Sequence, residues 1–196
     1  MSNELKRQTS LRVDVSLDCI GLACPMPIVR TKKAMDGMAA GQVIEIQATD
    51  KGSLADLQSW SKKAGHDFLG SMEEGGVLRH YVRKLSQSEA GAEPSYAQTV
   101  SNKEFAAKLR DGEELVLLDV REAAEFAFGH ISGARSLPLG ELENRLSELH
   151  QEQNLFVICR TGKRSDLACQ LLADNGFKNV WNVLPGMASW DGEKEG

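Results

Sequence analysis

A polar stretch in the middle of the chain constrains the fold more than any other feature of the sequence. Residues 86–98 read Ser-Gln-Ser-Glu-Ala-Gly-Ala-Glu-Pro-Ser-Tyr-Ala-Gln, which are small or polar and show no apolar periodicity. Such a composition is typical of a linker, and it divides the 196 residues into two halves of domain size. The sequence therefore predicts a first domain over residues 1–85, a linker over 86–98 and a second domain over 99–196.

The composition excludes several classes of protein. Hydrophobic residues make up 41% of the chain and charged residues 26%, which is ordinary for a globular protein and excludes wholesale disorder. No run approaches the roughly 18 apolar residues of a membrane helix, and residues 1–7 have no apolar core of the kind that a secretory signal needs. The net charge of −5 argues against a general nucleic-acid binder.

Four cysteines occur, without a CxxC pair and without a histidine in zinc-ligand spacing. The sequence therefore predicts a cytoplasmic protein with reduced thiols, with no metal ion and no cofactor.

The first half alternates between strand-like and helix-like patterns, and its order βαβαββ predicts helices packed on one face of a small sheet. The predicted elements are a strand around Val15, a helix over 25–39 ended by Gly41, a strand over 44–48, a helix capped by Ser53 and ended by Gly65, and strands over 67–73 and 77–84 around the turn Glu74-Gly75-Gly76.

The second half alternates throughout and predicts an open α/β domain with a parallel sheet. Its predicted elements are a helix after the capping box Ser101–Glu104, a buried strand over 115–120, a helix through Leu142, Leu146 and Leu149, a buried strand over 155–158, a helix over 165–174 and a strand over 180–183. Such sheets bind ligands at the carboxyl ends of their strands, and Cys159 follows one of them.

The loop after Cys159 favours a reactive thiol. Gly162 lets the chain turn so that N–H groups form an anion-binding nest, and the following helix adds partial positive charge. Arg160, Lys163 and Arg164 add full charges, so thiolate is favoured over thiol and an anionic substrate can be attacked without a histidine base. The alternative is a buried cysteine at a strand end beside a solvated basic loop.

Several motifs around this loop resemble the rhodanese family over residues 99–191. They are Leu118-Asp119-Val120-Arg121-Glu122, Glu125-Phe126, Gly129-His130-Ile131-Ser132-Gly133-Ala134, Pro138, the Cys159 loop and Val183-Leu184-Pro185-Gly186-Met187-Ala188-Ser189-Trp190. The resemblance implies a rhodanese α/β fold and a sulfurtransferase in which Cys159 carries a persulfide. It also implies that Arg160, Thr161, Gly162, Lys163 and Arg164 cradle the persulfide and the donor anion. Ser132 and Met187 depart from the residues common in the family.

A phosphatase is disfavoured by the length of the loop. Protein phosphatases of similar fold place an arginine six residues after the cysteine, whereas here that position is Ser165 and Arg164 falls at five. Nearby, Asp119 and Arg121 are expected to form a buried pair rather than to contact substrate. His130 is expected to be a hydrogen-bonded structural residue, with proton transfer as the alternative.

A second thiol precedes the first helix of the chain. Pro25 biases Cys24 away from helical geometry and is favourable at a helix start, which predicts Cys24 at the N-cap, exposed and with a lowered pKa. The alternative is a cysteine that caps a helix by accident of packing. Cys19 is expected to be a small residue at a strand end, although it could also resolve a Cys24 persulfide. Cys169 is expected to lie in a core.

Residues 11–85 resemble the TusA-like sulfur-carrier family. The motifs that carry the resemblance are Leu17-Asp18 before Gly21-Leu22, Cys24-Pro25-Met26-Pro27 and Ala48-Thr49-Asp50-Lys51. The resemblance implies a two-layer βαβαββ sandwich in which Cys24 accepts a sulfane sulfur and hands it on.

Together the two halves predict a sulfur relay. A donor such as thiosulfate or a low-molecular-weight persulfide loads Cys159, and Cys159 passes the sulfur to Cys24 for an acceptor thiol or protein. Neither nucleic acid nor a membrane is an expected partner. Loading of Cys24 before Cys159 stays open, and so does a thiol-based sensor or binding protein in which turnover is incidental. The sequence names neither the physiological donor nor the acceptor, nor the oligomeric state.

Overall fold

The computed structural model describes residues 13–85 and 94–196. These residues form two compact units that divide between Lys84 and Leu85. Residues 86–93 of the predicted linker lie outside the described residues. Among the described residues, no helix is both long and apolar enough to cross a membrane.

The end of the predicted linker belongs to the second unit. The N–H groups of Ser95 and Tyr96 donate to the Asp166 carboxylate at 2.7 and 2.6 Å. The carbonyl of Gln98 accepts from the N–H of Asn182 at 2.9 Å. Residues 95–98 are therefore fixed by hydrogen bonds, unlike the flexible segment that their composition predicts.

The first unit is a two-layer sandwich with the predicted order βαβαββ. Its strands are β1 (Val15–Cys19), β2 (Val43–Ala48), β3 (Asp67–Glu74) and β4 (Val77–Arg83), and its helices are α1 (Met26–Asp36) and α2 (Ser53–Ala64). The sheet has the order β1-β2-β4-β3, with β1 parallel to β2 and the other pairs antiparallel. Met35 of α1 and Leu57 of α2 are buried against Ile44 and Ile46 of β2. Each such side chain contributes roughly 1.5–3 kcal/mol on burial.

The boundaries of the two helices differ from the predicted ones. Helix α1 ends at Asp36, because Gly37 is its C-cap and donates to the Ala34 carbonyl at 3.2 Å. The predicted cap Ser53 is instead the first residue of α2, and its hydroxyl bonds to His80 Nε2 at 2.8 Å. Gly65 ends α2 in the left-handed region, as predicted.

The second unit is an open α/β domain with helices on both faces of a parallel sheet, as predicted. Its strands are β5 (Thr99–Ser101), β6 (Val116–Asp119), β7 (Arg135–Ser136), β8 (Leu155–Ile158) and β9 (Val180–Leu184), and its helices are α3 (Asn102–Arg110), α4 (Ala123–Ala127), α5 (Leu139–Leu142) and α6 (Lys163–Asp174). The sheet has the order β5-β9-β8-β6-β7, and every pair is parallel. Val157 packs into one core with Leu172 of α6, whereas Phe156 packs into the other core with Phe105 of α3.

Two elements of the second unit differ from the predictions. The segment through Leu142 and Leu146 is the short helix α5 followed by a 3-10 helix, Glu143–Glu148, instead of one α-helix. Helix α6 begins at Lys163, two residues before the predicted start, so only three residues separate Cys159 from the helix. The capping box of α3 is formed as predicted.

Candidate functional site

Cys159 lies where β8 ends at the carboxyl edge of the parallel sheet. Its side chain is 1% exposed and belongs to the core between the sheet and α6. The Gly162 N–H donates to Cys159 Sγ at 3.2 Å. The loop therefore turns a backbone donor inward onto the sulfur, as an anion-binding nest does.

Gly162 and Gly186 are the two glycines that this arrangement requires. Gly162 is the N-cap of α6 with φ 89°, and a Cβ there would come within 2.2 Å of Leu184 Cδ2. Gly186 has φ 94°, and a Cβ there would come within 2.5 Å of the Cys159 carbonyl oxygen. The N–H of Met187 donates to that same carbonyl at 2.9 Å. The segment after β9 thus packs directly on the backbone of Cys159.

Two residues at Cys159 were missed by the sequence analysis. Ser165 Oγ lies 3.3 Å from Cys159 Sγ and 2.6 Å from Asn182 Oδ1. Because a hydroxyl has one hydrogen, Ser165 donates to the nearer Asn182 oxygen while Cys159 is a thiol, and it can turn that hydrogen to the sulfur when Cys159 is a thiolate. Asn182 Nδ2 in turn donates to the Gly162 carbonyl at 3.1 Å. Asn182 is an amide inside the otherwise apolar strand β9, which is the signal that could have identified it.

The Arg164 side chain is not placed as the sequence predicts. Its guanidinium donates to both carboxylate oxygens of Glu125, at 2.6 and 2.9 Å, and both side chains are buried. A bidentate pair of this kind holds the guanidinium in one orientation, so Arg164 fixes the start of α6 against α4. The side chains of the rest of the loop lie nearer to solvent: Thr161 is exposed, and Arg160 and Lys163 are half-buried.

The expected pair at the end of β6 is confirmed. Arg121 Nη2 donates to Asp119 Oδ2 at 2.6 Å and to the Gly129 carbonyl at 2.8 Å. His130 Nδ1 lies 2.9 Å from the Phe126 carbonyl, and its ring stacks on Phe126 at 3.7 Å. These contacts fit the structural roles expected of all three residues.

Cys24 stands in different surroundings. Its side chain is exposed, and α1 begins two residues later with Pro25 as the N-cap. The prediction that Cys24 itself caps the helix is therefore wrong. The pKa of the Cys24 thiol is raised, chiefly through hydrogen bonding with the carboxylate of Asp56, which lies in the first turn of α2. Burial and the charges of Asp56 and Asp50 raise it further.

The raised pKa also corrects the sequence analysis. The helix N-terminus and the cations Arg30, Lys32 and Lys33 of α1 predict a lowered pKa, but the acid that raises the pKa, Asp56, lies on α2. The loop that carries Cys24 is tied to the segment before α2, because the Gly21 N–H donates to Thr49 Oγ1 at 3.0 Å. This contact joins two segments that are distant in the sequence.

The other two cysteines are core residues, as expected. Cys19 ends β1 and is fully buried, and burial raises the pKa of its thiol. Cys169 is a fully buried residue of α6, and burial raises its pKa strongly. All four cysteines are free thiols. No group of three or more His, Cys, Asp or Glu side chains that could hold a metal ion is found within residues 13–85 and 94–196.

Comparisons with known proteins match the two units separately and together. The family model "Sulfurtransferase TusA" matches residues 15–84, and the model "Rhodanese-like domain" matches residues 101–193. The "Putative sulfur carrier protein YrkF" of Bacillus subtilis (strain 168) is 45% identical over 185 residues, which cover 94% of this chain and 100% of that protein.

Two further matches each cover about half of the chain. The "Putative sulfurtransferase YtwF" of Bacillus subtilis (strain 168) is 38% identical over 94 residues, which cover 48% of this chain and 90% of that protein. A solved structure of a rhodanese-like domain protein from Staphylococcus aureus matches at 27% identity with a TM-score of 0.48, covering 50% of this chain and 97% of that one.

Proposed function

Because the chain belongs to the family of proteins that join a TusA sulfur-carrier domain to a single rhodanese domain, we propose that it relays sulfane sulfur from Cys159 to Cys24. Both domains are those of sulfur-transfer proteins, and the chain is a sulfurtransferase in this broad sense. Which thiol is loaded first, which thiol receives the sulfur and which compound donates it are parts of the proposal.

The observation that carries the proposal is the donor set on Cys159 Sγ. The Gly162 N–H at 3.2 Å and the Ser165 hydroxyl at 3.3 Å both reach the sulfur. Hydrogen bonds of this kind stabilise a thiolate or the terminal sulfur of a persulfide. Arg160 and Lys163, with Thr161 between them, attract and orient the anionic donor. Arg164 supports the loop through Glu125 in place of the direct substrate contact that the sequence predicts.

The loading step uses thiosulfate or a low-molecular-weight persulfide. The Cys159 thiolate attacks the sulfane sulfur of the donor, a new S–S bond forms on Cys159, and sulfite or the donor thiolate leaves. In the second step Cys24 attacks the outer sulfur of that persulfide, and Cys159 departs as a thiolate. Cys24 then delivers the sulfur to an acceptor thiol or protein.

Joining the two thiols in one chain favours the second step. Tethering two reacting groups gives the second an effective concentration of the order of millimolar. The transfer can occur within one chain or between two copies. We place the relay in the cytoplasm, since all four cysteines are free thiols, which suits a reducing compartment.

The Arg164 contact also weighs against phosphate-ester hydrolysis. The guanidinium that follows the loop binds Glu125 through Nη1 and Nη2, so the two N–H groups in these bonds are not available to a phosphoryl group on Cys159. Ser165 occupies the next position and contacts the sulfur instead.

Intact-protein mass spectrometry after brief exposure to thiosulfate tests the relay. Wild type, Cys159→Ser and Cys24→Ser are compared, with Cys169→Ala as the control for loss of an unrelated thiol. We expect sulfur on Cys159 in the Cys24→Ser variant, none in Cys159→Ser, and labelled Cys24 only when Cys159 is present. Labelling of Cys24 in Cys159→Ser at the wild-type rate would contradict the relay.

Two further experiments distinguish a wrong donor from a wrong function, and a relay from a sensor. If no thiol takes up sulfur from thiosulfate, the same series with glutathione persulfide distinguishes a wrong donor from a wrong function. Cys24→Ser should block delivery to an added acceptor, and sustained turnover with excess donor and acceptor separates the relay from a sensor.

A further inference from the structure

We infer that Asp166 is a positioning residue for the loading of Cys159. Its carboxylate binds residues 94–98, here called the strap, and the strap holds the loop residue whose N–H donates to the Cys159 sulfur. The inference rests on the proposed function, in which Cys159 is loaded with sulfur. It adds a residue that acts on that site through the segment preceding β5.

The first support is the set of hydrogen bonds on the Asp166 carboxylate. Asp166 lies in the first turn of α6 and is 5% exposed. Its Oδ1 accepts from the N–H groups of Ser95 and Tyr96, at 2.7 and 2.6 Å, and its Oδ2 accepts from Gln170 Nε2 at 2.7 Å. Hydrogen bonds to a charged acceptor are stronger than neutral ones, so the carboxylate fixes the strap on the start of α6.

The second support is the place of the strap beside the Cys159 loop. A Cβ built on Gly162 would lie 3.5 Å from Pro94 Cγ, so the proline ring packs next to that glycine. Gly162 is the residue whose N–H donates to Cys159 Sγ at 3.2 Å. The Tyr96 side chain packs against the core that contains Cys159. The strap therefore adjoins the backbone donor of the site.

The third support is a second connection, at the other end of the strap. The Gln98 carbonyl accepts from the N–H of Asn182 at 2.9 Å. Asn182 Nδ2 in turn donates to the Gly162 carbonyl at 3.1 Å. The strap is thus connected to Gly162 at both of its ends, directly at the first and through Asn182 at the last.

These contacts matter because Gly162 has no side chain of its own to fix it. Glycine is the residue with the greatest backbone freedom, so its position depends on its neighbours, here Pro94, Leu184 and Asn182. A hydrogen bond weakens steeply when its donor moves or tilts, and a donor stabilises developing charge best when it is already in place. Release of the strap should therefore weaken the bond to the sulfur and slow its loading.

The test compares Asp166→Ala with Asp166→Asn in the full chain. Both variants are neutral, but the asparagine oxygen can still accept from the two strap N–H groups. A Cys24→Ser background keeps the sulfur on Cys159, and quenched mass spectrometry follows its appearance over a range of thiosulfate concentrations. We expect the saturating rate to fall about two- to tenfold in Asp166→Ala, the effect of one hydrogen bond, and to stay within about twofold of the parent rate in Asp166→Asn.

The shape of the saturation curve separates positioning from binding of the donor. The cations that attract the anion, Arg160 and Lys163, are unchanged, so the thiosulfate concentration that gives half of the maximal rate should stay the same. Gln170→Ala is the matched control, because it removes the other partner of the carboxylate and leaves the strap bonds intact. Asp166→Asn as slow as Asp166→Ala, or Asp166→Ala as fast as the parent, would overturn the inference.

A second variant and a second measurement keep the test independent of folding and of the donor. Pro94→Gly removes the contact with Gly162 without altering a buried charge, and it should slow loading in the same direction. Amide hydrogen exchange, measured by NMR, requires no sulfur donor. Asp166→Ala should speed exchange at Ser95 and Tyr96 and also at Gly162. Faster exchange at the strap with no change at Gly162 would reject the connection between them.

The outcome is distinguishable from a failure of the proposed function. If neither thiosulfate nor glutathione persulfide loads the wild type, the relay fails, and the exchange of the Gly162 N–H still decides the role of Asp166. If the wild type is loaded and Asp166→Ala is loaded equally fast, the relay stands and the positioning role is rejected.

Discussion

The two thiols occupy opposite kinds of environment. Cys159 is 1% exposed at the end of a strand, and a backbone N–H and a hydroxyl reach its sulfur. Cys24 is exposed before a helix, and the Asp56 carboxylate raises the pKa of its thiol. A buried nest of donors suits a thiol that must stabilise negative sulfur, whereas an exposed thiol can be reached by another protein.

The difference extends to the surrounding packing. The Cys159 loop is fixed from beneath by buried polar groups, including the Arg164–Glu125 pair and Asn182. The Cys24 loop is anchored by exposed hydrogen bonds such as that from Gly21 to Thr49. Substitutions of the buried polar groups beneath the Cys159 loop should therefore affect both stability and loading, whereas substitutions of exposed side chains around Cys24 should affect reactivity more than stability.

The largest effect is expected for Glu125→Ala. Removal of the carboxylate leaves the Arg164 guanidinium buried without its bidentate partner, which costs about 3–5 kcal/mol of unfolding free energy. Urea denaturation measures this loss in the free energy of unfolding of the second unit. Glu113→Ala, which breaks the exposed pair with Lys108, is the control and should cost at most about 1 kcal/mol. Equal costs for the two substitutions would contradict the structural role of Arg164.

Gly186→Ala should come next. A Cβ at this φ would approach the Cys159 carbonyl oxygen to 2.5 Å, and neither backbone can move without displacing the loop. We expect sulfur loading of Cys159 to fall at least about tenfold, a change of about 1.4 kcal/mol in the barrier. Gly21→Ala, also at positive φ but with nothing within 4 Å of its Cβ, should cost stability only and leave Cys159 loading unchanged.

Ser165→Ala should have a smaller effect on loading. It removes one hydrogen-bonding group from Cys159 Sγ and the donor to Asn182, which corresponds to a loss of about two- to tenfold in the loading rate. The exposed Ser189→Ala is a matched control in the same unit. An unchanged rate for Ser165→Ala in a folded protein would show that its hydroxyl does not act on the sulfur.

The smallest effect is the pH dependence of Cys24. Because Asp56 and burial raise its pKa, less thiolate is present at neutral pH, and alkylation should rise with pH to a midpoint above that of an ordinary cysteine. A peptide of residues 20–28 supplies the unfolded reference. If the pH midpoint of Cys24 alkylation is lower in the protein than in the peptide, the N-terminus of α1 has a larger effect on the pKa than Asp56.

Much of the fold and of the Cys159 site could be predicted from local sequence patterns. The buried run over residues 155–158, Cys159 and Gly162 lie within eight residues, so their geometry follows from one strand, one turn and one helix. The hairpin of β3 and β4 could also be predicted from a local pattern, because Gly75 and Gly76 both take the positive φ that a two-residue turn needs.

The errors share a physical cause, which is a partner distant in the sequence. Arg164 appeared available to substrate because its loop is basic, but Glu125 lies 39 residues away on α4. The pKa of Cys24 was predicted from its own helix, but the group that dominates it, Asp56, lies on α2. Ser53 was expected to cap α2 because His80, 27 residues further on, could not be foreseen as its partner.

A site-resolved time course tests the direction of transfer most directly. Wild-type protein is mixed with a limiting amount of thiosulfate, quenched at short intervals, and the sulfur on the Cys159 and Cys24 peptides is quantified by mass spectrometry. The relay predicts that the Cys159 persulfide rises first and then decays as the Cys24 persulfide appears. Sulfur that appears on Cys24 before Cys159, or on Cys24 without any passing through Cys159, would contradict it.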